Sequence, residues 1–169
     1  MSIKVILSTC VLLAPNIPMY IKVALIEIVI DNMDTTLLSM FQDKYTITSC
    51  MDTYILYQML DKFTDHTVYL ILLILIYSQS LFTAPTRSLL TGFFLYRTIG
   101  VLKFFLSSSK FDLVVFPNIY LAAVFSVSLS ESFPDTFPYT PTLVTLIVMK
   151  LIQEIYLYNN EVNYLKNRA

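Results

Sequence analysis

The sequence predicts an all-α integral membrane protein, a bundle of about five (four to six) transmembrane helices, and three observations predict it. Residues 67–86 carry no charge over about twenty positions, enough helix to cover roughly the 30 Å hydrocarbon core of a bilayer. The 169 residues are 56% hydrophobic and only 14% charged, whereas a soluble domain carries about 25% charged residues. Too little polar surface remains to clothe a water-facing globule. Further long apolar segments recur on both sides of the first.

The first apolar segment runs over residues 3–30 and is interrupted by Pro15-Asn16-Ile17-Pro18. Proline lacks a backbone donor and clashes with the preceding turn. The segment is therefore one kinked helix, or a short helix followed by another beginning near Met19. Residues 5–14 imitate a signal-peptide core, but Leu12 stands where a small residue belongs and Pro15 follows Ala14. The segment is expected to be retained. A polar stretch, residues 31–66, follows and holds six of the twelve acids: Asp31, Asp34, Asp43, Asp52, Asp61 and Asp65. Its latter part, residues 51–60, reads as helix leading into the second apolar segment, residues 67–86, which Pro85 should end. The third segment, residues 88–106, holds Arg97 near its middle. The fourth, residues 113–130, is broken near its start by Phe116-Pro117-Asn118. Residues 131–141 form a loop whose three prolines are expected to forbid helix. The fifth segment, residues 142–158, holds Lys150 and Glu154 at i,i+4, where they neutralise each other. With no internal repeat and no linker, residues 1–169 read as a single multi-pass membrane domain.

The formal net charge of −1 excludes a nucleic-acid partner, which would require a basic footprint. Cys10 and Cys50 lie in no metal-binding spacing and read as apolar fillers. Counting Lys and Arg, alternating spans gather Lys44, Lys62, Lys103, Lys110, Lys166 and Arg168 on one side, with Lys4, Arg87 and the proline loop on the other. The positive-inside rule then puts the aspartate-rich stretch on the cytoplasmic side. An extra helix within the first segment would move the N-terminus and leave those loops together.

Two groups of acids sit at helix ends near one membrane boundary. Glu27, Asp31 and Asp34 share a face if the helix continues through them, as do Asp61 and Asp65. Crowded carboxylates need protons, cationic partners or bound cations. Oxygen ligands suit hard ions such as Mg²⁺ or Mn²⁺, while zinc is disfavoured because His66 is the sole histidine. The plainer reading makes each aspartate a helix cap or a solvated flank. Arg97 is harder to dismiss, since a charge inside a span costs at least about 2.5–3.5 kcal/mol unless it faces protein or water. It calls for an acidic partner among Glu27, Asp31, Asp34, Asp61 and Asp65. It is then either half of a structural salt bridge or a clamp for phosphate or carboxylate, with Lys103 near the same boundary.

In chain order, Asp31-x-x-Asp34, Asp61-x-x-x-Asp65 and then Arg97 resemble the CDP-alcohol phosphotransferase family of membrane enzymes. That resemblance implies that Asp31, Asp34 and Asp61 are ligands of a divalent cation, Mg or Mn. It makes Asp65 the base that deprotonates the acceptor alcohol and Arg97 the residue that holds phosphate; Lys103, near the same boundary, is added to the substrate-binding residues by its position alone. Thr35 and Tyr57 stand where that family has glycines. Together with Tyr96-Arg97-x-Ile99-Gly100 and Phe116-Pro117-Asn118, the same residues also resemble a group of small multi-pass membrane proteins without an assigned activity. Three functions are therefore carried forward. The first is a divalent-metal enzyme acting on a phospholipid or other lipid phosphate, with membrane lipids as partners. The second is a small ion channel or transporter lined by Lys22, Glu27, Arg97, Lys150 and Glu154. The third is a structural subunit or assembly factor bound to other membrane-protein subunits.

Overall fold

Proline decides where the first apolar segment breaks. In the computed structural model, which describes residues 2–28, 51–109 and 111–166, α1 spans Ser2–Leu13 and α2 runs from residue 19 through 28. The two-helix alternative is the one observed. Asn16 takes a left-handed conformation (φ 62°) between them, and the Lys22 amide donates to the Pro18 carbonyl at 3.1 Å to start α2. The Lys22 ammonium reaches back to the Leu12 carbonyl at 2.8 Å. A cation is favoured there, because the last carbonyls of a helix lack partners and carry partial negative charge.

Helix α3, Met51–Ser78, passes without interruption from the acidic stretch into the apolar run. It stops earlier than expected. Leu81 donates to the Ile76 carbonyl at 3.0 Å and Ser80 to the Tyr77 carbonyl at 3.2 Å, with Ser80 left-handed at φ 50°. These bonds form a Schellman cap in which serine takes the place usual for glycine. Phe82 is also left-handed (φ 67°), and α4 begins at Ala84 with Pro85 in its first turn, where a missing N–H leaves no helical bond unmade. The charge-free run is thus divided between two helices, and α3 contributes only about 18 Å of it. Hydropathy counts side chains and does not register this turn.

The remaining helices are α4 (Ala84–Ser107), α5 (Phe111–Val115), α6 (Ile119–Ser132) and α7 (Tyr139–Lys166). The described residues form helices and turns and no strand. Among them two segments, Ala84–Ser107 and the nearly continuous Phe111–Ser132, are long and apolar enough to cross a membrane, against the five predicted. With 12 residues α1 is too short to span a bilayer. The proline loop is also shorter than expected. Helix α6 continues to Ser132, and Pro141 is accommodated in the first turn of α7, where the Thr142 amide and hydroxyl both donate to the Pro138 carbonyl.

The chain divides into two compact units, Met1–Leu81 and Phe82–Ala169. In the first, α1 packs on α3, with Leu12, Val23, Ile26, Val68, Leu72 and Ile76 buried. In the second, α6 packs against both α4 and α7, and α5 touches the same two helices. Leu90, Phe94, Arg97, Val101 and Phe104 form the buried stripe of α4, at alternating spacings of four and three. Its other face exposes Leu95, Ile99, Leu102 and Leu106. A long helix that is apolar all round suits a membrane span or a protein core.

Gly100 fixes how closely α4 meets the α5–α6 break. A Cβ there would collide with the Phe116 Cβ and lie 3.0 Å from its Cγ. Overpacking of this kind destabilises by about 1–3 kcal/mol, so Gly100→Ala is expected to lower the melting temperature in detergent. Phe116→Ala keeps the clashing Cβ and should not rescue it, whereas Phe116→Gly should. Equal rescue by both would show that the close approach is not the cause.

Candidate functional site: a buried lysine–aspartate cluster

Asp61 and Asp65 stand one turn apart on α3, and Lys4 of α1 lies against both. The Lys4 ammonium is 3.0 Å from Asp61 Oδ1 and 2.7 Å from Asp65 Oδ1, while Lys62 is 2.9 Å from Asp61 Oδ2 and 3.5 Å from Asp65 Oδ2. The side chains of Lys4, Asp61 and Asp65 are 4%, 8% and 9% exposed. Each carboxylate therefore meets both ammonium groups, and the four formal charges cancel. Cancellation is what permits such burial, since an unpaired ion loses several kcal/mol of hydration on leaving water. Thr64, between the two acids, donates its hydroxyl to its own helix at the Leu60 carbonyl. Lys4 and Lys62, assigned to opposite sides by the single-helix reading, share this cluster, because the break at Pro15–Pro18 returns α1 to α3.

Arg97 has a different setting. Pro117 has no N–H, so the Leu113 carbonyl, four residues earlier, loses its helical donor and the helix breaks into α5 and α6. Arg97, 4% exposed, donates through Nη1 to the Phe116 carbonyl at 2.6 Å and to the Leu113 carbonyl at 3.5 Å. The adjacent Tyr96 hydroxyl donates to the Val115 carbonyl at 2.6 Å. Helix breaks at membrane depth are tolerated when a neighbour satisfies the freed backbone groups in this way. Lys103 lies 5.2 Å from the centre of the Phe116 ring, within the range of a cation–π contact. The acceptors assigned to Arg97 are thus carbonyl oxygens, where an acid was expected.

Of the expected site residues, Asp61 and Asp65 are brought together in the first unit, while Arg97 and Lys103 both meet Phe116 in the second. Asp31 and Asp34 lie outside the described residues. Lys4 was missed as a partner; the signal available was a lone cation in the otherwise uncharged residues 3–14. Compared with known proteins, the chain matches no family model, no curated sequence and no solved structure.

Chemically, the cluster offers two carboxylate oxygens aimed at one cationic point, the Lys4 ammonium. Oxygen-only donors fit Mg²⁺ or Mn²⁺, and such an ion would compete with Lys4 for the same oxygens. The two ammonium groups are engaged by those carboxylates and would be free for phosphate oxygens only if a cation replaced them there.

Proposed function

We propose that the chain is a multi-pass integral membrane protein and a divalent-metal-dependent enzyme acting on a phospholipid or other lipid phosphate. The single observation that carries the enzymatic reading is the buried convergence of Asp61 and Asp65 on one cationic position. The membrane placement is supported by the two long apolar helices and by the exposed apolar face of α4. On this reading Asp61, joined by Asp31 and Asp34 as the family resemblance implies, holds Mg or Mn, which would neutralise the substrate's phosphate. Asp65 takes the proton of the acceptor alcohol. Lys4 and Lys62 hold the carboxylates in place, and would be free to bind phosphate oxygens if a divalent cation took those carboxylates. Arg97 and Lys103, given to phosphate in the sequence reading, belong to the second unit and meet Phe116 there, so this reading does not rest on them; the aspartate-rich stretch faces the cytoplasm.

The test is turnover of a lipid phosphate by the chain reconstituted in vesicles with Mg²⁺ or Mn²⁺, paired with Mn²⁺ binding followed by electron paramagnetic resonance. Asp61→Asn is expected to reduce turnover about a hundredfold or more, since even residues that only support metal ligands are worth about 10–100-fold. A folded Asp61→Asn variant with full turnover would overturn the proposal.

A second reading is favoured by the pairing of two ammonium groups with two carboxylates across α1 and α3: Lys4, Asp61, Lys62 and Asp65 act as a structural anchor between these helices in a subunit or assembly factor of a larger membrane complex. It predicts no bound Mn²⁺ and no turnover. The channel reading has less support, because Lys22 and Arg97, both assigned to its wet pathway, are bonded to main-chain carbonyls.

A further inference from the structure

Gly92 opens a groove on the second unit. A Cβ built at this position meets nothing within 4 Å, and the space beside it continues as a groove of about 600 Å³ between α4, the α5–α6 break and α7. Phe93, Pro117, Ile147 and Leu151 supply apolar walls. Ser88 and Tyr96 also line it, but their hydroxyls already donate, Ser88 to the Ala84 carbonyl at 3.2 Å and Tyr96 to the Val115 carbonyl at 2.6 Å. An occupant would therefore find apolar contact and few free hydrogen-bonding groups.

We infer that this groove holds one acyl chain of a bilayer phospholipid. A peptide strand laid there would leave its own N–H and C=O groups without partners, at several kcal/mol for each such group in an apolar medium. A hydrocarbon chain has no such groups to satisfy. The two helical segments that supply most of the walls, Ala84–Ser107 and Phe111–Ser132, are the two long and apolar enough to cross a membrane, so acyl chains form the medium around them. The volume lies within the usual range of ligand sites, about 300–1,000 Å³. Glycine at position 92 leaves the groove open; a methyl group would fit there, whereas a long or aromatic side chain would project into the acyl chain's path. The inference rests on the membrane placement proposed above and is independent of the enzymatic reading.

The test uses the full chain in phosphatidylcholine vesicles doped with a phosphatidylcholine that carries a photoactivatable diazirine in mid-chain, with labelled residues mapped by mass spectrometry. Groove residues Phe93, Ile147 and Leu151 are expected to label together with Leu95 and Leu102 on the exposed face of α4. Gly92→Phe should reduce groove labelling at least fivefold and leave Leu95 and Leu102 unchanged, while Gly92→Ala should retain most of it. A second plug from the opposite wall, Leu151→Trp, should reduce labelling at Phe93 in the same way, and circular dichroism confirms that each variant keeps its helix content. Groove labelling unchanged by both plugs, or absent while Leu95 and Leu102 label, overturns the inference and spares the membrane placement. No labelling on α4 at all overturns both. Crosslinking of the groove to a second copy of the chain replaces the lipid with a protein occupant and also overturns it.

Discussion

Lys4→Met is expected to destabilise the first unit by about 3–5 kcal/mol, the range for breaking a buried ion pair by removing one partner. Methionine keeps most of the unbranched length and the apolar stem, so the change isolates the charge. It takes the Lys4 ammonium from Asp61 and Asp65, 8% and 9% exposed, and leaves their contacts with Lys62. The measurement is thermal unfolding in one detergent, followed by circular dichroism. A second substitution supplies the control, because Lys4→Met with Asp61→Asn restores a one-to-one balance of charge between Asp65 and Lys62. The double variant should recover more than half of the loss, a coupling that residues without mutual contact do not show. If the two substitutions prove additive, the cluster is not the buried network its distances describe. The same pair of variants bears on function, since both the enzyme and the anchor lose stability with Lys4, whereas only the enzyme loses bound Mn²⁺ with Asp61.

How far this was legible in the sequence differs from one residue to the next. The shared face of Asp61 and Asp65 follows from a spacing of four on a helix, and helical periodicity requires nothing more. Their partner Lys4 lies 57 residues away from Asp61, and no local pattern announces a contact of that separation. The turn after Ser78 was hidden for another reason. Hydropathy treats Gln79 and Ser80 as mild interruptions, although serine competes for backbone hydrogen bonds and favours turns. For Arg97 the energetic problem was visible and its solution was not. A buried cation needs acceptors, and main-chain carbonyls serve as well as carboxylates do. Pro117, four residues beyond Leu113, already signalled a carbonyl without its helical donor. What the sequence does not give is that α4 packs on α5 with Gly100 close enough to bring Arg97 to that carbonyl.

Arg97→Met should destabilise the second unit by about 2–4 kcal/mol, because it removes a charge-assisted hydrogen bond and strands buried carbonyl oxygen. The bond to Phe116 at 2.6 Å carries most of this, and the one to Leu113 at 3.5 Å much less. Arg97→Lys should recover part of the loss, since both carbonyls are reached by the single Nη1 and an ammonium still donates, from a shorter and differently shaped side chain. A sharper check comes from Pro117→Ala, which restores an N–H four residues after Leu113. Alone, that substitution gains a helical donor where Arg97 already serves, so its effect should be small. In the Arg97→Met background it should recover about 1 kcal/mol, the usual net worth of one backbone hydrogen bond. Unfolding of the four proteins in one detergent gives the cycle directly. If Pro117→Ala has the same effect in both backgrounds, the bond to Leu113 contributes nothing and Arg97 acts through the Phe116 carbonyl alone.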